Sequence, residues 1–419
     1  MRKKFYRLTA LALSAVLLLG GCGSRTAENT ETTKAAAETT AESAETKESE
    51  SKADGETEAE ESSKAAQKDE NAPELPGLTY ESTMELTYAE CFDVYNYEGG
   101  YSLIDVHDSA RYLVVPDGKE APEGLDPDII VLQKPLNKIY LAATSAMALF
   151  DSINAMDSIR LSGTQASGWY IEDAVTAMND GKILYAGKYS EPDYELLVDE
   201  GCNLAIESTM ILHTPKVQEM IEMLDIPVFI DRSSYESHPL GRTEWIKLYG
   251  VLTDKVSEAE QFFEEQTKVI SDLKDFQNTE KTVAFFYVST DGSVVVRKAT
   301  DYIPKMIEIA GGRYVFADLA DDSGKTNVSL SMEEFYATAV NADYLVYNAA
   351  IDSPIQSMDE LIGKSELFAD FKAVKEGNVW TTGKSLYQAT DIVGELIRDL
   401  NLMLTDGDAS QMTFLTKVQ

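Results

Sequence analysis

The residue types that most often carry chemistry are scarce in this 419-residue chain: three cysteines and three histidines. Cys22, Cys91 and Cys202 form no Cys-x-x-Cys pair, so neither a zinc ribbon nor a dithiol redox centre is spelled out. His213 or His238 could reach a metal, but no histidine follows Leu240. A bare-metal site fed from both halves of the chain is therefore not expected. There is no Gly-x-Ser-x-Gly, His-Glu-x-x-His, phosphate-binding loop or dinucleotide Gly-x-Gly-x-x-Gly. The expectation is a binding module with no catalytic residue and no cofactor. Cys91 and Cys202 leave two arrangements open, one disulfide or two separate thiols.

Cys22 is different, because of what precedes it. Arg2, Lys3, Lys4 and Arg7 make a positive start, Leu8 to Gly21 is apolar or small, and the run ends Leu19-Gly20-Gly21-Cys22. This is a secretory signal over 1–22, too short and too abruptly ended to span a membrane. The small residues before the cysteine resemble the bacterial lipobox, which implies that the Cys22 thiol is lipidated and becomes the new N-terminus. The expectation is a chain held on the outer face of a cell membrane.

Residues 23–74 are expected to be a spacer. From 25 to about 72 they are mostly Ala, Glu, Thr, Ser and Lys, with one Gly, no aromatic and no Val, Ile or Leu. Such a stretch cannot bury enough apolar surface to offset its ordering entropy. Some 50 residues would reach about 40 Å as a coil. A tether of this length is common in Gram-positive lipoproteins. The net charge is −36 and most of it lies beyond the spacer. That argues against nucleic acid or anionic lipid as partner surfaces.

The elements that must position a site come next. Residues 75–134 read as a β-rich extension, with short strands around Glu98-Gly99-Gly100, a hairpin signal. From about 135 strands and helices alternate. Strands are expected at 138–142, 159–163, 204–206 and 226–230, with helices at 145–156, 194–200 and 216–224. This pattern argues a parallel sheet covered on both faces. Ala259, Phe262, Phe263, Val269, Ile270 and Leu273 then recur at helical spacing, the longest such run in the chain. Alternation resumes with strands at 283–288, 294–296, 344–347 and 379–381 and helices at 302–310, 331–340 and 391–403. Gly311-Gly312 supplies the stop after 310. The fold class is α/β: two Rossmann-like lobes, 135–252 and 280–419, joined by one long rigid helix within 253–279. Ligands of open sheets sit at the carboxyl ends of the strands, which places a cleft between the lobes.

Several motifs now add up. Pro135-Leu136-Asn137-Lys138-Ile139-Tyr140-Leu141 precedes an apolar helix. Pro192-Asp193-Tyr194-Glu195-Leu196-Leu197 leads to Gly201-Cys202-Asn203-Leu204-Ala205-Ile206. Leu224-Asp225-Ile226-Pro227-Val228, Ile309-Ala310-Gly311-Gly312, Val328-Ser329 to Glu333 and Asn341-Ala342-Asp343-Tyr344-Leu345-Val346 follow in order. With these the chain resembles the solute-binding proteins of ABC importers, in the class that takes up iron–siderophore complexes, haem and cobalamin. Lys138 stands where the family has Arg, and Ala155-Met156 where it has Leu-Gly.

The resemblance implies a lipoprotein that captures a metal chelate, a ferric siderophore first, with haem or a corrinoid as the alternative cargo and a non-transport sensor as another reading. It implies an ABC permease and its ATPase as partners, a monomer, and no metal bound directly by the protein. It also implies that Glu195 and Glu333 pair with arginines of the permease. Ligand contacts are expected from Thr144, Ser145, Trp169, Tyr170, Glu207, Ser208, Thr209 and Tyr235 on one lobe. The other lobe would offer Ser289, Arg297, Tyr302, Asn348, Tyr387 and Gln388. Aromatic rings suit flat ligands, and an arginine suits carboxylates or other anions.

Overall fold

The computed structural model describes Asp69, 71–271, Leu273, 277–319 and 326–419. The signal, Cys22 and the spacer up to residue 68 lie outside the described residues. Folded structure begins earlier than position 75, because Ala72 is buried and the Tyr97 hydroxyl donates to the Pro73 carbonyl at 2.6 Å.

The extension is a five-stranded sheet in the order β1 (Tyr80–Thr83), β2 (Phe92–Tyr97), β3 (Tyr101–Val106), β4 (Arg111–Val115) and β5 (Ile129–Gln133). The first four strands run antiparallel and β5 pairs β4 in parallel. Gly99 and Gly100 form the β2–β3 turn with φ of 90° and 84°, a conformation that side chains disfavour. The expected hairpin is there.

The second sheet contains β6 (Ile139–Leu141), β7 (Ile159–Ser162), β8 (Leu184–Tyr185), β11 (Leu204–Ser208) and β12 (Val228–Asp231), in the order β12-β11-β6-β7-β8. All its pairings are parallel. Between β8 and β11 lies a two-stranded ribbon, β9 (Gly187–Lys188) with β10 (Glu191–Pro192). The helices of this part are α1 (Met147–Ser152), α2 (Glu172–Asn179), α3 (Tyr194–Asp199) and α4 (Pro215–Glu222). Helix α1 is shorter than the expected 145–156, because the chain turns at Asn154 with φ of 56°.

Two helices follow, α5 (Pro239–Thr253) and α6 (Val256–Ser271), separated by Asp254 in the left-handed region. The expected long helix is therefore 16 residues, preceded by a second helix of almost equal length. Periodicity missed α5 for a physical reason. It is buried from Pro239 to Leu252, Arg242, Glu244 and Lys247 included, so it has no solvent face to create a polar stripe.

The third sheet mixes parallel and antiparallel strands. It holds β13 (Thr282–Val288), β14 (Val294–Arg297), β15 (Arg313–Tyr314), β16 (Asn327–Leu330), β17 (Tyr344–Tyr347), β18 (Val379–Thr382) and β19 (Leu415–Lys417), in the order β16-β14-β13-β17-β18-β19, with β15 beside β13. Strands β13, β17 and β18 are parallel to one another, while β14, β16 and β19 pair antiparallel. The reversal at β14 comes from the Asp291-Gly292 turn, too short for a crossover. Helices α7 (Tyr302–Ile309), α8 (Met332–Ala339), α9 (Met358–Lys364), α10 (Lys372–Lys375) and α11 (Val393–Leu404) complete the chain.

One continuous apolar core takes in Val94 and Val106 of the first sheet, Ile139 and Ile206 of the second, Trp245 and Tyr249 of α5, Phe263 of α6, and Phe286 and Val346 of the third. Helices α5, α6 and α11 pack on one another at its centre. Polar groups fix the extension to this core. Buried Glu244 accepts from the backbone amides of Thr87, Tyr88 and Ala89 at 2.7–3.0 Å and from Lys247 Nζ at 2.7 Å. Glu236 accepts from the amides of Glu90 and Cys91 and from Trp245 Nε1. The segment joining β1 to β2 thus gives five consecutive N–H groups to two buried carboxylates, which compensates both sides for leaving water. The extension also covers an open strand edge. The Tyr112 hydroxyl donates to the Val228 carbonyl at 3.2 Å and accepts from the Ile230 amide at 3.3 Å, satisfying β12 where it has no further strand. Cys91 and Cys202 are free thiols, and burial pushes them up to about 12 and about 11.

Candidate functional site

Parallel strands direct their carboxyl ends to one edge of each sheet, and the loops leaving β6, β7, β11 and β12 carry the expected ligand residues of the second sheet. Thr144 and Ser145 begin a 3-10 turn, Thr144–Ala146, directly after β6. Tyr170 follows β7 and is 49% exposed. Tyr235, also exposed, has the Arg232 guanidinium 4.9 Å from its ring centre. Ser208 accepts from the Met210 amide and starts the turn that contains Thr209. Trp169 and Glu207 are buried. The Trp169 indole donates to Ser162 Oγ at 3.2 Å, and both Glu207 oxygens lack a hydrogen-bond partner among the described residues. Burial pushes the Glu207 carboxyl up to about 8.

The third sheet brings several of its expected residues together. The Tyr387 hydroxyl accepts from Asn348 Nδ2 at 2.7 Å and from Arg297 Nη2. With two donors on its oxygen, its own proton is left to donate elsewhere. Arg297 also faces Asp301 at 3.4 Å. Burial raises the Asp301 carboxyl, while Arg297, the Ile303 amide and Arg242 pull it back down. Ser289 is turned into its own hairpin, bonded to Asp291 and Ser293. Tyr302 is buried, and the Arg242 guanidinium lies 4.1 Å from its ring centre.

Arg242 is a residue that sequence reasoning did not select. It sits in the first turn of α5, which follows β12, and its Nε is buried without a hydrogen-bond partner among the described residues. Only its place after Ser237-His238-Pro239, a helix start, hinted that it enters the site. Arg242 and Arg297 thus approach Asp301 and Tyr302 from different elements and form a cationic, aromatic floor in an acidic protein.

A cavity of about 510 Å³ opens beside this floor, lined by Tyr287, Ser289, Ile351, Asp352 and Lys364. Tyr287 and Ile351 also line a recess of about 40 Å³ against Arg297 and Asn348. Lys364 and the Tyr347 hydroxyl both donate to Asp352, at 2.7 and 2.6 Å. These bonds hold the Asp352 carboxyl near 2 although burial opposes them. A larger groove, about 770 Å³, runs between β1 and α6, away from the strand ends. Its lysines are already paired, Lys134 to Asp254 and Lys247 to Glu244. Among the described residues no cluster of three His, Cys, Asp or Glu could hold a metal ion, and no helix is long and apolar enough to cross a membrane.

Residues 163–386, more than half the chain, match the sequence pattern of the family described as periplasmic binding protein. The chain belongs to the periplasmic binding protein family. The resemblance read from the motifs stands, and so does the reading of a solute binder that is not an enzyme. A protein of Methanocaldococcus jannaschii described as an uncharacterized lipoprotein is 26% identical over 299 residues, 68% of this chain and 69% of its own. Among solved structures, a possible iron-binding (periplasmic solute-binding) protein from Staphylococcus epidermidis aligns with a TM-score of 0.51 at 18% identity, over 65% of this chain and 99% of its own. The petrobactin-binding protein of Bacillus subtilis aligns with a TM-score of 0.52 at 16% identity, over 64% and 92%. At these identities the likeness establishes the fold of this binding protein.

The two glutamates expected to dock a permease are both exposed. Glu195 lies in the first turn of α3 and Glu333 in the first turn of α8. Neither has a hydrogen bond or ion pair among the described residues.

Proposed function

We propose that this binding protein captures an anionic metal chelate of the ferric-siderophore type outside the cell membrane and delivers it to an ABC permease. The observation that carries the reading is the floor itself, with Arg242 over Tyr302 and Arg297 beside Tyr387 and Asn348. Guanidinium groups beside aromatic rings suit a negatively charged chelate that carries flat catecholate rings, by charge-assisted hydrogen bonds and by stacking. The remaining protein is so acidic that nonspecific anion binding is disfavoured, which leaves selectivity to this spot. In this reading Cys22 carries the lipid anchor, the protein acts as a monomer, and Glu195 and Glu333 meet cationic groups of the permease.

The test is thermal denaturation with visible absorbance, using the purified protein and ferric catecholate, ferric hydroxamate, haemin and cyanocobalamin in turn. A ligand at one hundred times its Kd adds about 2.7 kcal/mol of stability and raises Tm. A rise with a ferric complex supports the reading. A rise only with haemin or cyanocobalamin moves the cargo to a tetrapyrrole. No rise with any of them, in a folded protein, removes the chelate from the proposal and favours another solute or a sensor.

A further inference from the structure

Within the site described above, one side chain ties the two sides of the cleft together. Gln388 spans from the third sheet to the loop after β7. Its Oε1 accepts from the Tyr170 amide at 2.8 Å and its Nε2 donates to the Gly168 carbonyl at 2.8 Å. The turn that contains it, Lys384–Gln388, packs on the Thr144–Ala146 turn after β6. Its neighbour Tyr387 covers Arg297 and Asn348. Just beyond, the Thr390 carbonyl accepts from Thr243 at 2.9 Å, and Asp391 accepts from Ser152 at 2.8 Å. Four residues of the segment 387–391 therefore bond to both sides of the cleft. Beneath the Tyr387 hydroxyl Asn348 is buried.

We propose that Gln388 is a latch: it clasps the Gly168–Tyr170 loop over Tyr387, and a solute reaches Arg297 and Asn348 only after this clasp opens. The proposal rests on the chelate reading solely for the identity of what enters. The physical basis is that Gln388 is replaceable at both ends. Its two partners are backbone groups near an exposed tyrosine, so water satisfies them when the side chain leaves. The bonds at Thr390 and Asp391 then act as the fixed end about which the segment moves.

The latch is tested without any ligand. In Gln388→Ala the Tyr170 amide loses its acceptor, so its hydrogen exchange speeds up. A thiol placed by Asn348→Cys lies under the latch, and its labelling by a maleimide, read at that site by mass spectrometry, is about tenfold faster when Gln388→Ala is also present, the shift expected for two hydrogen bonds of ordinary strength. Faster exchange at Tyr170 with unchanged labelling would show a local brace and overturn the latch, as would unchanged exchange. Should Asn348→Cys not fold, the association rate of ferric tris-catecholate with Gln388→Ala alone decides. A rise of about tenfold is expected, and a rate equal to the wild type overturns the proposal. A protein that labels faster but binds no ferric complex keeps the latch and loses the chelate.

Discussion

Glu195 and Glu333 hold the same position in two different helices: each is the second residue after a capping side chain, Asp193 before α3 and Ser331 before α8. The caps explain why both carboxylates are free. Asp193 accepts from the Leu196 amide, and Ser331 forms a capping box with Glu334, so another carboxylate takes the backbone bonds that Glu333 could have taken. Each glutamate sits at the positive end of a helix and is exposed.

This symmetry makes docking testable. Reversing either charge, Glu195→Lys or Glu333→Lys, should leave solute affinity unchanged and slow association with permease-containing membranes, and the double change should abolish uptake. The deficit in association should shrink as salt is added, because it comes from charge steering. Uptake at the wild-type rate in the double variant would remove these residues from the docking surface.

Arg242→Met tests the floor. Methionine keeps much of the apolar stem over Tyr302 and removes the charge. Affinity for a ferric catecholate should fall by about tenfold to a hundredfold, the scale of one charge-assisted hydrogen bond. Isothermal titration gives the affinity, and Tm should move little. Equal affinity in the two proteins would exclude Arg242 from the solute contact.

Glu207 predicts a pH dependence of stability. Its carboxyl keeps its proton up to about pH 8 in the folded state, against an ordinary value of 4.5 in the unfolded chain. Between those values folding takes up a proton, so this group's contribution is fully present below about 4.5, declines as the pH rises, and is lost above about 8. The total change is on the order of a few kcal/mol. Glu207→Gln removes the titration. In urea denaturation from pH 4.5 to 8.5, the variant should gain stability relative to the wild type as the pH rises. Parallel curves would show that Glu207 finds a partner in solution.

Glu244→Ala should destabilise the fold by about 3–5 kcal/mol, since it leaves Lys247 and three backbone amides without their shared acceptor. Urea midpoints measure this. Hydrogen exchange should rise first at Thr87, Tyr88 and Ala89. A loss below about 1 kcal/mol would mean that water replaces the carboxylate and that the strap is held by packing.

How much of this was legible beforehand depended on distance along the chain. The parallel strands, the helix stop at Gly311 and the glutamates of the first helical turns are local patterns, set by side-chain period and capping chemistry within a few residues. The family likewise showed in short motifs taken in order. Helix α5 was not legible because burial on every side erased its stripe.

The sequence by itself determined the export signal as an expectation, the α/β class, the family, and the presence of Arg297, Asn348, Tyr387 and Gln388 near strand ends. Only the tertiary structure decided which of them meet. Arg242 reaches Tyr302, Arg297 reaches Tyr387, and Gln388 reaches Tyr170 across long stretches of chain. Such contacts follow from sheet order and from the packing of α5, α6 and α11, and neither leaves a periodic trace in the residues between. The same packing buried Trp169, Glu207 and Tyr302 among their neighbours, because a polar or aromatic residue after a strand can turn toward the core as readily as toward a cleft. The shape of the core chooses between the two.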